Sequence, residues 1–107
     1  MYARILRMQL KKDKIVAASD LFKKSVVPLC KKQEGFEGAF YMTNARTGEG
    51  LALTLWADEK AMLGTEQNRF FQDQVAKFLQ FYALPPIREA YEVILKAEIE
   101  QPQKSKR

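Results

Sequence analysis

The sequence contains no histidine, a single cysteine and no long apolar run among its 107 residues. Without an imidazole, every mechanism that needs a histidine base and every metal or haem site that needs a histidine ligand is excluded. One thiol, Cys30, excludes an intrachain disulfide and a zinc site built from several thiolates. No stretch reaches the ~20 apolar residues of a membrane helix, and the first ten residues alternate instead of forming the apolar core of a secretory signal. We therefore expect a cytoplasmic protein with no metal site and no other cofactor.

What is present is typical of one globular domain. Apolar residues make up 47% of the chain and charged residues 29%, and a chain of this length builds a single core. The net charge of +5 is uneven, because 11–34 contains seven lysines against three acidic residues and 103–107 contains three basic residues and no acid. Such patches attract nucleic acid or acidic lipid. The acids interleaved with the lysines favour a solvated helix face instead.

The first half of the chain begins with a strand and a helix. Tyr2–Leu10 alternates between apolar and polar positions and predicts a strand. Apolar residues at spacings of three and four predict a helix that Asp13 caps and that runs to about Lys32. Pro28 predicts a kink or a looser final turn in that helix, because its nitrogen cannot donate. Gly35 is the predicted left-handed residue at its end.

The middle of the chain predicts a hairpin and a short helix. Phe36–Thr43 and Leu51–Trp56 are predicted strands, and the loop Asn44–Gly50 is rich in turn formers. Strands joined by so short a loop pair antiparallel. Asp58 predicts the cap of a short helix from Glu59 to about Leu63.

The last part of the chain predicts a second long helix and a final strand. Gly64-Thr65 is expected to break the short helix, and a longer one is expected from about Glu66 to Tyr82. Leu84-Pro85-Pro86 is expected to stop it. Ile87–Ala97 alternates and predicts the last strand, so the domain is expected to span 1–97. Residues 98–107 form a predicted polar, basic tail.

The order β-α-β-β-α-β predicts a ferredoxin-like α+β fold. Right-handed connections place both helices on one face of a four-stranded antiparallel sheet. The strands are apolar on both sides, since Ile94 opposes Val93 and Tyr41 opposes Phe40. A sheet face exposed to water is normally polar. We therefore expect a second copy of the chain to cover the helix-free face as a two-fold homodimer.

Three kinds of side chain have two interpretations each. Trp56 is either core packing or the wall of a cleft. Cys30 is either a buried, inert thiol or a nucleophile, and the absence of a histidine that would activate it favours the inert thiol. Five rings at helical spacing form either core and dimer packing, which the spacing favours, or an aromatic ligand site: Phe70, Phe71, Phe78, Phe81 and Tyr82.

RNA-recognition modules share the same order of elements and supply an alternative function. Gly35–Tyr41 is similar to their aromatic strand motif. That motif belongs on the third strand, whereas here it lies on the second, and Leu51–Trp56 is mostly aliphatic where stacking rings are needed. RNA binding is therefore only an alternative, and nucleic acid is not an expected partner.

Four segments in order resemble the antibiotic biosynthesis monooxygenase family over about residues 1–96. They are Val27-Pro28, Gly35-Phe36-Glu37-Gly38, Leu53–Ala61 with Trp56 at the end of its strand, and Tyr91-Glu92-Val93. The resemblance implies a dimeric α/β barrel in which two sheets pack together with the helices outside. It also implies one cleft per subunit, between sheet and helices, for a small apolar or aromatic molecule.

The family contains branches with different chemistry. The haem-cleaving branch uses an asparagine on the first strand, a tryptophan at the end of the third and a histidine on the next helix. Trp56 matches, but the asparagine position falls near Leu6 or Arg7, and the chain has no histidine. The resemblance therefore argues against haem cleavage by this chain.

The oxygenase branch uses tyrosine, tryptophan, asparagine and arginine side chains in the cleft, with no external cofactor. By resemblance, the candidates here are five side chains: Trp56, Tyr41, Tyr91, Asn68 and Arg4. Whether the cleft is open depends on whether Phe71 and Phe78 fill it. The substrate itself would supply electrons to oxygen, while the protein stabilises its anion and excludes water. Three hypotheses follow: a protein that binds a small molecule in a hydrophobic cleft, a cofactor-independent monooxygenase acting on a phenol or quinol, and a non-catalytic binding or assembly module.

Overall fold

A computed structural model describes residues 1–98 of the chain. Within this range the fold has four strands and three helices. They are β1 (Tyr2–Leu10), α1 (residues 15–30), β2 (Phe36–Thr43), β3 (Glu49–Trp56), α2 (Glu59–Gln67), α3 (Phe70–Ala76) and β4 (Tyr82–Glu92). The sheet is antiparallel with strand order β2-β3-β1-β4, so the predicted ferredoxin-like α+β fold is confirmed.

The central strand β1 separates two different surfaces. Its even-numbered side chains from Arg4 to Leu10 face the helices and are buried, and they pair across the strand with small residues of β3 such as Ala52 and Gly50. Its odd-numbered side chains, such as Arg7, face the opposite side. This period of two places the hydrophobic core between the sheet and the helices.

Helix α1 is loosened in the turn before Pro28. An α-helical segment, Ile15–Leu21, is followed by a π-helical turn, Phe22–Val26, in which the Val27 N–H donates to the Phe22 carbonyl. The looser turn expected from Pro28 thus lies one turn earlier than predicted. The prediction that Asp13 caps this helix is wrong. Its carboxyl makes no capping hydrogen bond, because residues 12–14 form a 3₁₀ turn and the α-helix begins at Ile15.

The break in the second helical region also lies elsewhere than expected. Asp58 caps α2 by accepting from the Ala61 N–H at 2.8 Å, as predicted. The helix then continues through Gly64-Thr65 to Gln67 instead of breaking there. The chain turns at Arg69, which adopts a left-handed conformation with φ of 68°. The long helix predicted for Glu66–Tyr82 is therefore two shorter pieces.

Strand β4 begins earlier and ends earlier than predicted. It runs from Tyr82 to Glu92 instead of 87–97, and it contains Pro85 and Pro86. Prolines are tolerated here because β4 is an edge strand whose register against β1 is irregular near Gln9. Of the predicted basic tail, only Glu98 lies inside the described residues, and the rest of that segment lies outside them.

The helix-free face of the sheet is apolar and uncovered in the single chain. Phe40 and Ile87 are 59% and 60% exposed, and Leu84 and Tyr91 are also exposed. The register places these side chains on the same face as the three leucines of β3. Residues 1–98 contain no helix that is both long and apolar enough to cross a membrane.

The continuity of α2 through Gly64 leads to a stability prediction. A β-carbon added at Gly64 meets no atom within 4 Å, so Gly64→Ala should raise the free energy of unfolding by about 0.5–1 kcal/mol, the helix-propensity difference. Urea unfolding measures it. Gly35→Ala is the contrasting variant, because Gly35 has φ of 83° and its new β-carbon would lie 2.4 Å from that of Ala61. A destabilising effect of Gly64→Ala would contradict the continuity of α2 through this position.

Candidate functional site

A small cavity lies between the sheet and two of the helices. Its volume is about 60 Å³, and its walls are mainly apolar. All four strands and two of the helices, α1 and α3, contribute lining side chains, which include Leu6, Met8, Phe22, Val26, Ala52, Trp56, Phe70, Phe71, Val75 and Phe78. Small-molecule sites are usually lined in this way, by mainly apolar side chains with a few polar groups, but they are several times larger.

Among residues 1–98, Arg4 is the one charged side chain in the cavity wall. It is only 4% exposed, and strand β1 directs it at the helices. Its terminal nitrogens donate to the Thr65 hydroxyl at 3.0 Å, the Met62 carbonyl at 2.8 Å and a Glu66 carboxylate oxygen at 2.8 Å. Three acceptors on α2 therefore hold this guanidinium in one position, as a buried charge requires.

Glu66 joins two arginines. One carboxylate oxygen accepts from Arg4, and the other accepts from Arg88 on β4. Burial raises the pKa of the Glu66 carboxyl, but the hydrogen bonds and charges of Arg88 and Arg4 outweigh it, so this pKa lies below its ordinary value. Burial lowers the pKa of Arg4, and Glu66 partly offsets that effect. The group as a whole carries one net positive charge.

Four polar atoms of cavity-lining residues are buried and have no hydrogen-bond partner within residues 1–98. They are Arg4 Nε, the hydroxyls of Tyr41 and Tyr82, and Gln74 Oε1. Unpaired buried polar groups are rare in proteins because each one costs ~1–3 kcal/mol. All four atoms belong to residues that line one cavity.

The two phenols are neutral at physiological pH and can donate hydrogen bonds. Burial raises the pKa of Tyr41 to about 12. Burial, and then the proximity of Tyr41, raise the pKa of Tyr82 to about 12. Tyr41 is held by stacking on Phe22, with ring centroids 4.6 Å apart. Both of these cavity-lining residues therefore keep their phenol proton.

Trp56 and Cys30 complete the wall. Trp56 is 1% exposed, and its indole N–H donates to the Thr54 hydroxyl at 2.9 Å, so it is both core packing and cavity wall. Cys30 is a free, buried thiol. Burial raises its pKa to about 11, even though Arg4 and Lys77 act in the opposite direction. A thiol with so high a pKa is a poor nucleophile, in agreement with the inert interpretation.

The structure brings together five of the seven side chains singled out in the sequence. Trp56, Tyr41, Arg4, Phe71 and Phe78 all line the cavity.

Tyr91 and Asn68 lie outside the cavity. Tyr91 pairs with Ala3 on the helix-free face, which is turned away from the cavity. Asn68 is exposed at the end of α2, where its side-chain oxygen accepts from the Phe70 N–H at 2.9 Å.

Sequence reasoning missed three further participants. The sequence predicts Tyr82 at the end of a helix as packing, but it starts β4 and lines the cavity. Gln74 follows Phe70 and Phe71 by four and three positions, and this helical spacing is the signal that could have placed it on the inner face. Glu66 could not be paired with Arg4 from the sequence, because they are 62 positions apart.

The geometry bears on two other kinds of site, a metal site and an RNA-binding surface. Within residues 1–98, no three histidine, cysteine or acidic side chains are grouped so that they could hold a metal ion. Of the rings in the segment that resembles an RNA-recognition motif, Phe36 packs against Trp56 and Tyr41 stacks on Phe22, both on the helix side. Phe40 alone of these three rings faces outward.

Solved structures of other proteins share this architecture. A protein from Deinococcus radiodurans assigned to the antibiotic biosynthesis monooxygenases aligns over 94% of this chain and 100% of its own, with a TM-score of 0.74 and 12% identity. A monooxygenase from Streptomyces coelicolor in complex with the ligand Nanaomycin D aligns over 90% and 92%, with a TM-score of 0.66 and 14% identity. A haem degrader from Mycobacterium tuberculosis, with two haems bound in its active site, aligns over 92% and 100%, with a TM-score of 0.69 and 14% identity.

The chain has the fold of the antibiotic biosynthesis monooxygenases. The resemblance read from the order of sequence segments is thus confirmed for the fold. No protein-family model and no curated protein matches the sequence. The identities to these three solved structures are 12–14%, and such a likeness shows the fold and not the function.

The Arg4–Glu66 pair leads to a prediction about acid stability. Glu66→Gln should lower the free energy of unfolding near neutral pH by about 1–3 kcal/mol, because the buried guanidinium loses its charged partner. A carboxyl whose pKa is lowered by folding contributes stability above its ordinary pKa and loses it as the pH falls through the lowered value. The wild type and the variant should therefore converge in acid, once the pH has fallen through that lowered pKa.

Urea unfolding near neutral pH and in acid measures this effect. Glu98→Gln is the matched control, because it removes the exposed pair with Lys96 beyond the end of β4, and it should change stability by less than about 0.5 kcal/mol. A cost of Glu66→Gln that stayed the same in acid would show that the charge of Glu66 is not responsible.

Proposed function

We propose that the protein binds a small aromatic molecule with ring-bound oxygen atoms, of the quinone or phenol type, in the cavity between sheet and helices. The observation that carries this proposal is the set of four unpartnered, buried polar atoms around an apolar enclosure. An entirely apolar ligand would leave those atoms unsatisfied, whereas a strongly polar one would not match the walls.

Each polar group has a role that its chemistry permits. The Tyr41 and Tyr82 hydroxyls donate to carbonyl or phenol oxygens of the ligand, and they can do so because they stay protonated. Arg4 Nε is a further donor and carries a positive charge that favours an anionic oxygen. Gln74 supplies an amide that accepts from a ligand hydroxyl. The surrounding rings and aliphatic side chains supply the apolar contacts.

A cofactor-independent monooxygenase acting on a phenol or quinol is the second candidate. Arg4 supports it, because a fixed buried cation stabilises the substrate anion that would donate electrons to oxygen. The Streptomyces coelicolor neighbour, a monooxygenase with Nanaomycin D bound, is consistent with it. In such a reaction a phenol and O₂ give a quinone and water, so the substrate is oxidised and no cofactor is required.

Oxygen uptake separates catalysis from binding. A panel of phenols and quinols should consume oxygen faster with the wild type than with Trp56→Phe if the protein is an oxygenase. A folded protein that binds its ligand and consumes none favours the non-catalytic alternatives, a binding or assembly module. Haem cleavage is not proposed, because the chain has no histidine to bind the iron.

We further propose that a second copy of the chain covers the helix-free face as a homodimer. The argument is the size and composition of that face, with Phe40, Leu84 and Ile87 more than half exposed in the single chain. Contiguous apolar surface of this kind marks a protein interface, and a two-fold arrangement buries the same patch on both copies. The cytoplasmic location stays a prediction from the sequence.

The ligand proposal predicts opposite effects on binding and stability. Trp56 is the only tryptophan and lines the cavity, so its fluorescence should be quenched by duroquinone, a fully substituted one-ring quinone. Tyr41→Phe and Tyr82→Phe should each weaken duroquinone binding about fivefold to tenfold, as expected for the loss of one hydrogen bond. Neither variant should lower the free energy of unfolding, because within residues 1–98 these hydroxyls have no partner to lose.

A hydrocarbon provides the control for this experiment. Binding of 2,3-dimethylnaphthalene, which has no oxygen atoms, should not change in the two phenylalanine variants. Equal duroquinone affinity in the wild type and both variants, or a loss of stability above about 1 kcal/mol in either, would contradict the proposed donor role.

The dimer proposal predicts that a charge on the helix-free face dissociates the protein. Ile87→Lys should give monomers in sedimentation equilibrium at micromolar concentration, where the wild type is expected to be a dimer. Val16→Lys is the matched control, because Val16 is 74% exposed on α1, on the helix side, and its variant should remain dimeric. A wild-type monomer at this concentration would refute the proposal.

A further inference from the structure

Phe71 stands between two apolar spaces. On its inner side is the cavity, and on its outer side is a groove between α3 and β4 with a volume of about 330 Å³. Phe71, Val75 and Leu6 line both spaces. A single layer of side chains therefore separates the cavity from a groove that opens beside Leu79 and Arg88.

The Phe71 ring occupies a position that suits a ligand ring. The guanidinium carbon of Arg4 lies 4.2 Å from the centroid of the Phe71 ring, which is a close cation–π contact. Arg4 itself is fixed by its hydrogen bonds to Thr65, Met62 and Glu66. The guanidinium is thus held in one position, and the Phe71 ring packs against it.

The helix that holds Phe71 is weakly anchored. Helix α3 is seven residues long, and none of its residues is fully buried. It starts at Arg69, whose left-handed backbone makes a sharp joint with α2. Its side-chain links to neighbours include the Gln72 bond to the Glu66 carbonyl and, just after its end, the Lys77 bond to Ser25. Elements with so few buried contacts open at low free-energy cost.

The cavity must enlarge before it can hold an aromatic ring. Its volume of about 60 Å³ is well below the ~150 Å³ of a cavity that accommodates benzene. Of the walls, α1 and the sheet form the buried core, whereas α3 does not. The displacement that enlarges the cavity at least cost is an outward movement of Phe71 into the groove beside Leu79.

We infer that Phe71 is an internal placeholder for the ligand, whose aromatic ring takes the position of the Phe71 ring on Arg4 while Phe71 swings into the outer groove. This inference rests on the proposed function, since it concerns the same ligand and site. It makes Phe71 the residue that sets how large a ligand is admitted. It also favours ligands of two fused rings, which fill the vacated position and the cavity together.

Two variants and two quinones test the inference. Phe71→Leu removes the ring from Arg4 and keeps an apolar side chain, whereas Phe78→Leu shortens a ring of the same cavity that does not line the groove. Phe71→Leu should bind 2,3-dimethyl-1,4-naphthoquinone about tenfold more tightly than the wild type, with a smaller gain for the one-ring duroquinone. Phe78→Leu should not show this preference for the larger probe. Quenching of Trp56 fluorescence reports each titration.

A second measurement needs no ligand. Acrylamide should quench Trp56 at least about threefold more efficiently in Phe71→Leu than in the wild type, because the barrier between the cavity and the groove is thinned. If the wild type binds both quinones and Phe71→Leu changes neither affinity nor acrylamide access, the placeholder role is refuted and the proposed function stands. If no protein binds a quinone, the proposed function fails, and the acrylamide result alone decides whether Phe71 is the barrier.

Discussion

The buried guanidinium of Arg4 is the constraint on which the rest of the structure depends. A charge that is 4% exposed is tolerated only where several acceptors surround it, and three acceptors on α2 do so. Those bonds tie the central strand to α2, fix the height of the helix above the sheet and leave one nitrogen, Nε, without a partner in the described part of the chain. Arg4 also lines the cavity, whose helical walls are α1 and α3.

This arrangement also explains the chemistry of the cavity. Every other ionisable group in its wall is a phenol or a thiol, and burial raises the pKa of Tyr41, Tyr82 and Cys30 well above neutrality. The wall is therefore neutral except at Arg4. A neutral, donor-rich enclosure with one fixed cation is suited to recognise partial negative charge on an oxygen atom, and it offers no general base of ordinary pKa. Any reaction in it would depend on a substrate that gives up its own proton and electrons.

The fold was largely predictable from the sequence, because strand alternation and helical spacing depend on local chemistry. The predictions that failed depend on non-local packing. Gly64 looks like a break, yet α2 continues because Arg4 bonds to Met62, Thr65 and Glu66 around it. The prolines of β4 look like a stop, yet they fit an edge strand. The candidate site was predictable where a resemblance marked positions such as Trp56 and Tyr41. The Tyr82 hydroxyl and the Glu66 bridge arise from contacts between residues far apart in the chain.

The alternation of β1 has a consequence for how the chain tolerates change. Arg4 and Arg7 are three positions apart, an odd offset, and therefore face opposite sides of the sheet. Insertion or deletion of one residue between them would place both side chains on the same face of the sheet, so that one arginine would lose the environment it has here. Length changes are expected to accumulate in the exposed turn at 44–47, and the nine residues of β1 form the segment whose length is least free to vary.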